Sequence, residues 1–169
     1  MQNIDAQAMI STLNTAILGN LCVEAVLGAY NNLYLGFGQE VLPPRTVIRV
    51  PGGKFRYVRH AEPPYRLATC YSFWWIRNSS QIIASSEGGE EDAEIAALSL
   101  VGKNASSWEF LQPGWGLKIN FMSDLELIIQ PDPEFTSSAV WSLEDSYGLF
   151  WNVKTDAHMF TNRANEIDP

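Results

Sequence analysis

The chain has 169 residues, 46% of them apolar, with 19 acidic and 11 basic side chains and a net charge of −8. That is enough to bury one good core and too little for two ordinary domains, and six Trp, six Tyr and eight Phe exclude global disorder. The negative charge argues against general nucleic-acid binding, and no run of about eighteen uncharged apolar residues offers a membrane-spanning helix.

Met1 to Asp5 has neither a basic nor a long apolar stretch, so no secretory signal is expected and the expected location is cytoplasmic. Asp5 to Leu18 predicts a helix: Asn3 or Asp5 caps it, Met9, Leu13, Ala16 and Ile17 form its apolar stripe, and Gly19 suits the left-handed position after it. Leu21 to Tyr30 and Leu33 to Gly38, parted by Asn31-Asn32, predict a β-hairpin with a tight turn. Thr46 to Val50 and Lys54 to His60 flank Pro51-Gly52-Gly53 and predict a second hairpin. After Pro63-Pro64, strands are expected at Tyr65 to Thr69, Tyr71 to Arg77 and Gln81 to Ser85.

A second helix follows, capped by Ser85 or Ser86, with Glu90, Glu91, Asp92 and Glu94 in its first turns, Ile95, Leu98 and Val101 facing inward, and Gly102 stopping it. Strands are then expected at Ser106 to Leu111, Trp115 to Phe121, Leu125 to Gln130, Val140 to Leu143 and Leu149 to Val153, before a loose tail over 156–169. The fold class is α+β: mainly antiparallel β-sheet with two short helices.

The second half echoes the first. Ile17-Leu18-Gly19-Asn20 matches Leu100-Val101-Gly102-Lys103, and Leu33-Tyr34-Leu35-Gly36-Phe37 matches Leu117-Lys118-Ile119-Asn120-Phe121. Tyr65-Arg66-Leu67 is then set against Trp141-Ser142-Leu143, and Tyr71 to Trp75 against Ser146 to Trp151. Pseudo-duplicated halves, about 1–85 and 86–155, are therefore expected to pack into a single domain, because neither has enough apolar positions to close a core alone.

Charge is segregated as well. Between Arg45 and Arg77 stand seven basic residues and one acid, Glu62, so the window carries +6 and the remainder −14. Arg45, Arg49, Lys54, Arg56, Tyr57, Arg59 and His60 form a candidate binding hairpin; an edge protected from aggregation by basic residues explains the same pattern. Set against the repeat, the hairpin has an acidic counterpart around Asp124, Glu126, Asp132 and Glu134. With Glu90, Glu91 and Asp92 these form a candidate acidic binding surface. Trp74 and Trp75 are candidate aromatic anchors, one facing the core and the other outward.

No HExxH, CxxC, GxSxG or phosphate-binding glycine loop is present, and Gly36-Phe37-Gly38 lacks the third glycine and the helix. No catalytic residue, cofactor or metal is therefore expected. Cys22 and Cys70 read as free buried thiols.

The Gly-stop, LxLxF and WxL segments resemble those of small uncharacterised bacterial domains. The acidic β-rich plan resembles bacterial immunity proteins, which neutralise a toxin domain by binding it. That likeness is of overall character and carries no residue over. It implies a non-enzymatic protein-binding domain with a basic protein partner. The alternatives are nucleic-acid or polyanion binding through hairpin 45–60, a small-molecule site or unrecognised enzyme, and a homodimer joining the basic hairpin to acidic surface.

Overall fold

In the computed structural model, which describes residues 2–3, 6–43, 46–49, 51–53, 55–58, 61–79, 81–135, 139–154 and 159–163, the stripe Met9, Leu13, Ala16 and Ile17 is fully buried. It belongs to helix α1, Ala6–Ala16, and Gly19 follows at φ +74° as a helix stop requires. A two-residue strand β1, Gln2–Asn3, precedes α1. The first hairpin is β2, Leu21–Leu27, and β3, Leu33–Gly38. Its β2 strand ends three residues short of Tyr30, because Ala29–Asn31 form a 3-10 turn in which Tyr30 and Asn31 take positive φ.

The second hairpin, β4, Thr46–Arg49, and β5, Phe55–Val58, forms a two-stranded sheet of its own. Then come β6, Tyr65–Thr69, β7, Ser72–Asn78, β8, Gln81–Ser85, and helix α2, Glu90–Leu98. The rest is strand: β9, Ala105–Leu111, β10, Gly116–Phe121, β11, Leu125–Pro131, β12, Ala139–Asp145, β13, Leu149–Lys154, and β14, Met159–Arg163. The fold is α+β with antiparallel sheets.

Two expectations about α2 are corrected. Gly89, not Ser85 or Ser86, is the N-cap, because the serines are held at the end of β8. Ile95 and Leu98 are exposed, while Ala93, Ala96, Ala97 and Leu100 are buried. Alanines at i, i+3 and i+4 let the helix lie close to β2 and β8, and larger residues on that face would hold it off. The tail is corrected too: within 156–169, Met159–Arg163 pairs with β13 and with β1, drawn in by the open edge of β13.

The larger sheet has the order β1-β14-β13-β12-β6-β3-β2 and the second β8-β7-β11-β10-β9. Inward rows run across them. Leu35, Leu67, Leu143 and Trp151 align in the first, and Ile119, Leu127, Ile76 and Ala84 in the second. Both rows belong to one core, in which Phe37 of β3 stacks on Phe121 of β10 at 6.4 Å and Phe110 of β9 on Trp141 of β12 at 6.2 Å.

The strand orders are related by exchange. The run α1-β2-β3-β6 gives three strands to the first sheet and continues as β7-β8 in the second. The run α2-β9-β10-β11 gives three to the second and continues as β12-β13 in the first. At the junction Gly19 N–H donates to the Ala105 carbonyl as Gly102 N–H donates to that of Cys22, and Cys22 N–H to Lys103 as Ala105 N–H to Asn20. The topological counterpart of β6 is therefore β11, not β12. Leu67 and Leu143 lie side by side instead, since any two leucine- and aromatic-rich strands look alike in a period-two pattern. The basic hairpin consequently has no acidic counterpart: residues 39–64 join β3 to β6, whereas residues 122–124 alone join β10 to β11.

Candidate binding cleft

The chain passes between the sheets twice, at Cys70-Tyr71 from β6 to β7 and over residues 132–138 from β11 to β12. The register that pairs Ser72 with Pro131 brings these two crossovers together. Between them opens a cleft of about 510 Å³ lined by Tyr30, Asn32, Tyr71, Ser72, Phe73, Ser86, Glu87, Asp132 and Phe135. Crevices where a chain changes direction between sheet elements are common ligand sites.

Each wall has a local cause. Asn31 holds the first through its side-chain amide, which donates to the Ser86 carbonyl at 2.9 Å, and through its carbonyl, which accepts Trp74 Nε1–H at 2.7 Å. Tyr30 is thereby fixed at φ +59° with its ring 98% exposed. Tyr71 occupies the tight crossover at φ +43°, and its ring meets that of Phe135 at 5.1 Å. The Asp132 carboxylate accepts the Glu134 N–H at 2.9 Å, and its carbonyl accepts the Phe135 N–H at 3.0 Å, a turn that sets the Phe135 ring. Bulky residues at positive φ cost about 1 kcal/mol or more each, and such strain concentrates at ligand sites.

The chemistry is one-sided. Four aromatic residues and the acidic Glu87 and Asp132 line the cleft, with no arginine, lysine or histidine among the lining residues. The Ser72 hydroxyl is buried without a hydrogen-bond partner among the described residues. The exchange relation makes the contrast sharper. Gly114 and Lys154 stand where the cleft has Tyr30 and Glu87, and a Cβ on Gly114 would meet the Pro131 ring at 2.6 Å.

Of the acidic residues singled out in the sequence, Asp132 lines the cleft, and Glu134 is exposed beside it. Glu90, Glu91 and Asp92 are exposed in the first turn of α2, where the helix dipole already favours them. Asp124 sits exposed in the β10–β11 turn at φ +60°. Glu126 pairs with Arg77 and with Lys118, which also reaches Glu109 at 3.1 Å, in a ladder across four strands. Hydrogen bonding from Arg77 holds the Glu126 carboxyl below its ordinary range, and the Glu109 contact holds Lys118 above its own.

Of the two candidate anchors Trp74 is the one that faces the core, wholly buried, and half-buried Trp75 lies on the other face, near Phe73 at 6.3 Å, so Trp74 is no surface anchor. Arg45, Lys54, Arg59 and His60 lie outside the described residues. Arg56 and Tyr57 lie in β5, with their side chains outside the description, and Arg49 is exposed at the end of β4.

Tyr30, Tyr71, Phe135 and Glu87 were not singled out from sequence. The Asn31-Asn32 turn marks one of the loops, but nothing local tells that they meet. Both cysteines are free; burial pushes the Cys22 thiol up to about 12 and raises Cys70 as well. Among the described residues no helix is long and apolar enough to cross a membrane, and no three His, Cys, Asp or Glu side chains are grouped to hold a metal. Comparison with protein-family models, with curated proteins and with solved structures finds no match.

Proposed function

We propose that this protein is a binding domain whose crossover cleft receives a cationic side chain from a basic protein partner. The observation that carries the reading is the lining itself: four aromatic and two acidic residues line one cleft, with no basic residue among them. A cation held against an aromatic face gains about 2 kcal/mol when desolvated, and a carboxylate at the rim supplies charge and orientation. The overall charge of −8 adds long-range attraction for such a partner. An immunity-type role, neutralising a basic toxin domain by covering it, is the form of this function that acidity and aromatic anchoring suit best. The two free thiols suit a reducing cytoplasm as its setting.

The test is a titration of short peptides, each with one central arginine or lysine, followed by tryptophan fluorescence at low ionic strength. Binding that weakens with salt and is lost in the double variant Tyr30→Gly, Asp132→Asn is the expected result. Equal binding of peptides with an uncharged central residue, or none of the cationic ones, would overturn the proposal.

A further inference from the structure

The Ser72 hydroxyl bears on which kind of cation the cleft would take. It stands at the start of β7 on the cleft, sealed from solvent, with no hydrogen-bond partner among the described residues. Its register partner is Pro131, whose ring nitrogen has no hydrogen to donate. A buried hydroxyl left unsatisfied is destabilising, and a ligand that donates to it recovers that loss. The cleft also has the Tyr71 and Phe135 rings, tilted at 34° to each other, and two acidic residues from separate segments, Glu87 and Asp132, in its lining. Three acceptors on three segments, beside aromatic faces, need a flat cation with donors pointing several ways. An ammonium offers three donors from one point, whereas a guanidinium presents five in a plane, stacks on aromatic rings and sheds water more readily.

We infer that the cleft is an arginine site, with Ser72 accepting a guanidinium N–H at its floor and Glu87 and Asp132 accepting at its rim. This rests on the proposed cation-binding role and names its ligand.

Four peptides identical except for a central arginine, lysine, trimethyl-lysine or citrulline distinguish the cases, each titrated against the protein and against Ser72→Ala. Arginine is expected to bind about tenfold more tightly than lysine and more tightly still than trimethyl-lysine, which has no N–H. Ser72→Ala is expected to remove most of that tenfold preference while lysine binding barely changes. An unfolding curve of Ser72→Ala at least as stable as the parent's, as loss of an unsatisfied buried hydroxyl predicts, establishes that the variant folds; if it is less stable, Ser72→Cys, with a much weaker acceptor of similar size, is used for the same comparison. Arginine, lysine and trimethyl-lysine bound alike, with no change in the variant, would overturn the arginine assignment and leave cation binding standing. Citrulline bound as well as arginine, or no peptide bound at all, would overturn both.

Discussion

Trp74 and Trp141 make the same bond in the two halves of the molecule. Trp74 Nε1–H donates to the carbonyl of Asn31 at 2.7 Å, and Trp141 Nε1–H to the carbonyl of Trp115 at 2.9 Å. Both indoles are wholly buried, and both acceptors sit at positive φ, 56° and 59°, in the turn before the strand next to the edge of a sheet. A turn that swings its carbonyl into the core needs a donor there, and the indole supplies one from the strand that crosses over.

Replacing either tryptophan by phenylalanine removes the donor and leaves a buried carbonyl unsatisfied. Each of Trp74→Phe and Trp141→Phe is expected to lower stability by about 2 kcal/mol in urea unfolding. Only Trp74→Phe is expected to weaken peptide binding as well, since Asn31 positions Tyr30. A loss below about 0.5 kcal/mol at either position would deny the bond its structural role.

Much of the fold was legible because short strands advertise themselves by alternation and turn residues, as β6, β7, β10 and β11 do. Pairing was not, since Leu67 and Leu143 carry the same signal whether they are equivalent or adjacent. Helix α2 departs from its sequence pattern for a related reason: Ile95 and Leu98 outrank alanine in hydrophobicity, but closeness to β2 and β8 selects the small side chains. Of the cleft, the sequence marked Asp132 through its charge. The aromatic walls come from three loops far apart in the chain, and only the sheet order brings them together.

The faces of α2 can be separated by substitution. Ile95→Gln and Leu98→Gln are expected to change stability by less than about 0.5 kcal/mol. Ala96→Leu is expected to cost about 1–3 kcal/mol by pushing the helix off the strands. Thermal unfolding of the three variants checks this, and a large loss from Leu98→Gln would reverse the assignment.

Relief of strain gives a prediction of opposite sign. Tyr30 sits at φ +59° with its ring in solvent, so Tyr30→Gly loses little packing and removes an unfavourable backbone conformation. Stability is expected to stay level or rise by up to about 1 kcal/mol, while affinity for cationic peptides falls. Denaturant curves and titrations on the same sample check both halves, and a clear destabilisation would show that the ring has a packing role.

The charge ladder predicts a pH dependence. The Glu126 carboxyl titrates below its ordinary value of 4.5, so its stabilisation is present above that value and is lost as pH falls through the lowered one. Lys118 is raised above 10.5, so its share holds below that value and is lost as pH rises through the raised one. The groups are near the surface, and the ladder is worth about 1 kcal/mol or less. Glu126→Gln is expected to flatten the fall in stability below pH 4.5; urea midpoints measured from pH 3 to 7, in steps of about half a unit, check it, and parallel curves for variant and parent would contradict it.

The chain leaves the basic hairpin through two prolines packed on β3. Pro63 and Pro64 return the chain from that hairpin to the first sheet, and they lie against Gly36 and Gly38 of β3. A Cβ on Gly36 would meet the Pro63 ring at 2.7 Å, and one on Gly38 would meet Pro64 at 3.0 Å. The Gly-Phe-Gly of β3 therefore serves close packing: the glycines clear one face for the prolines while Phe37 fills the core on the other. Pro63 is itself buried, so the clash cannot be relieved by a flexible side chain swinging into solvent. Gly36→Ala is expected to cost about 1–3 kcal/mol and Gly38→Ala less, because its contact is the looser one. The same change in Gly36 should lift the 61–64 segment and speed proteolysis within 39–64, measured against Gly38→Ala at matched fractions folded. Equal stability and equal cleavage in the two variants would mean that the prolines move aside freely and that β3 does not anchor the hairpin.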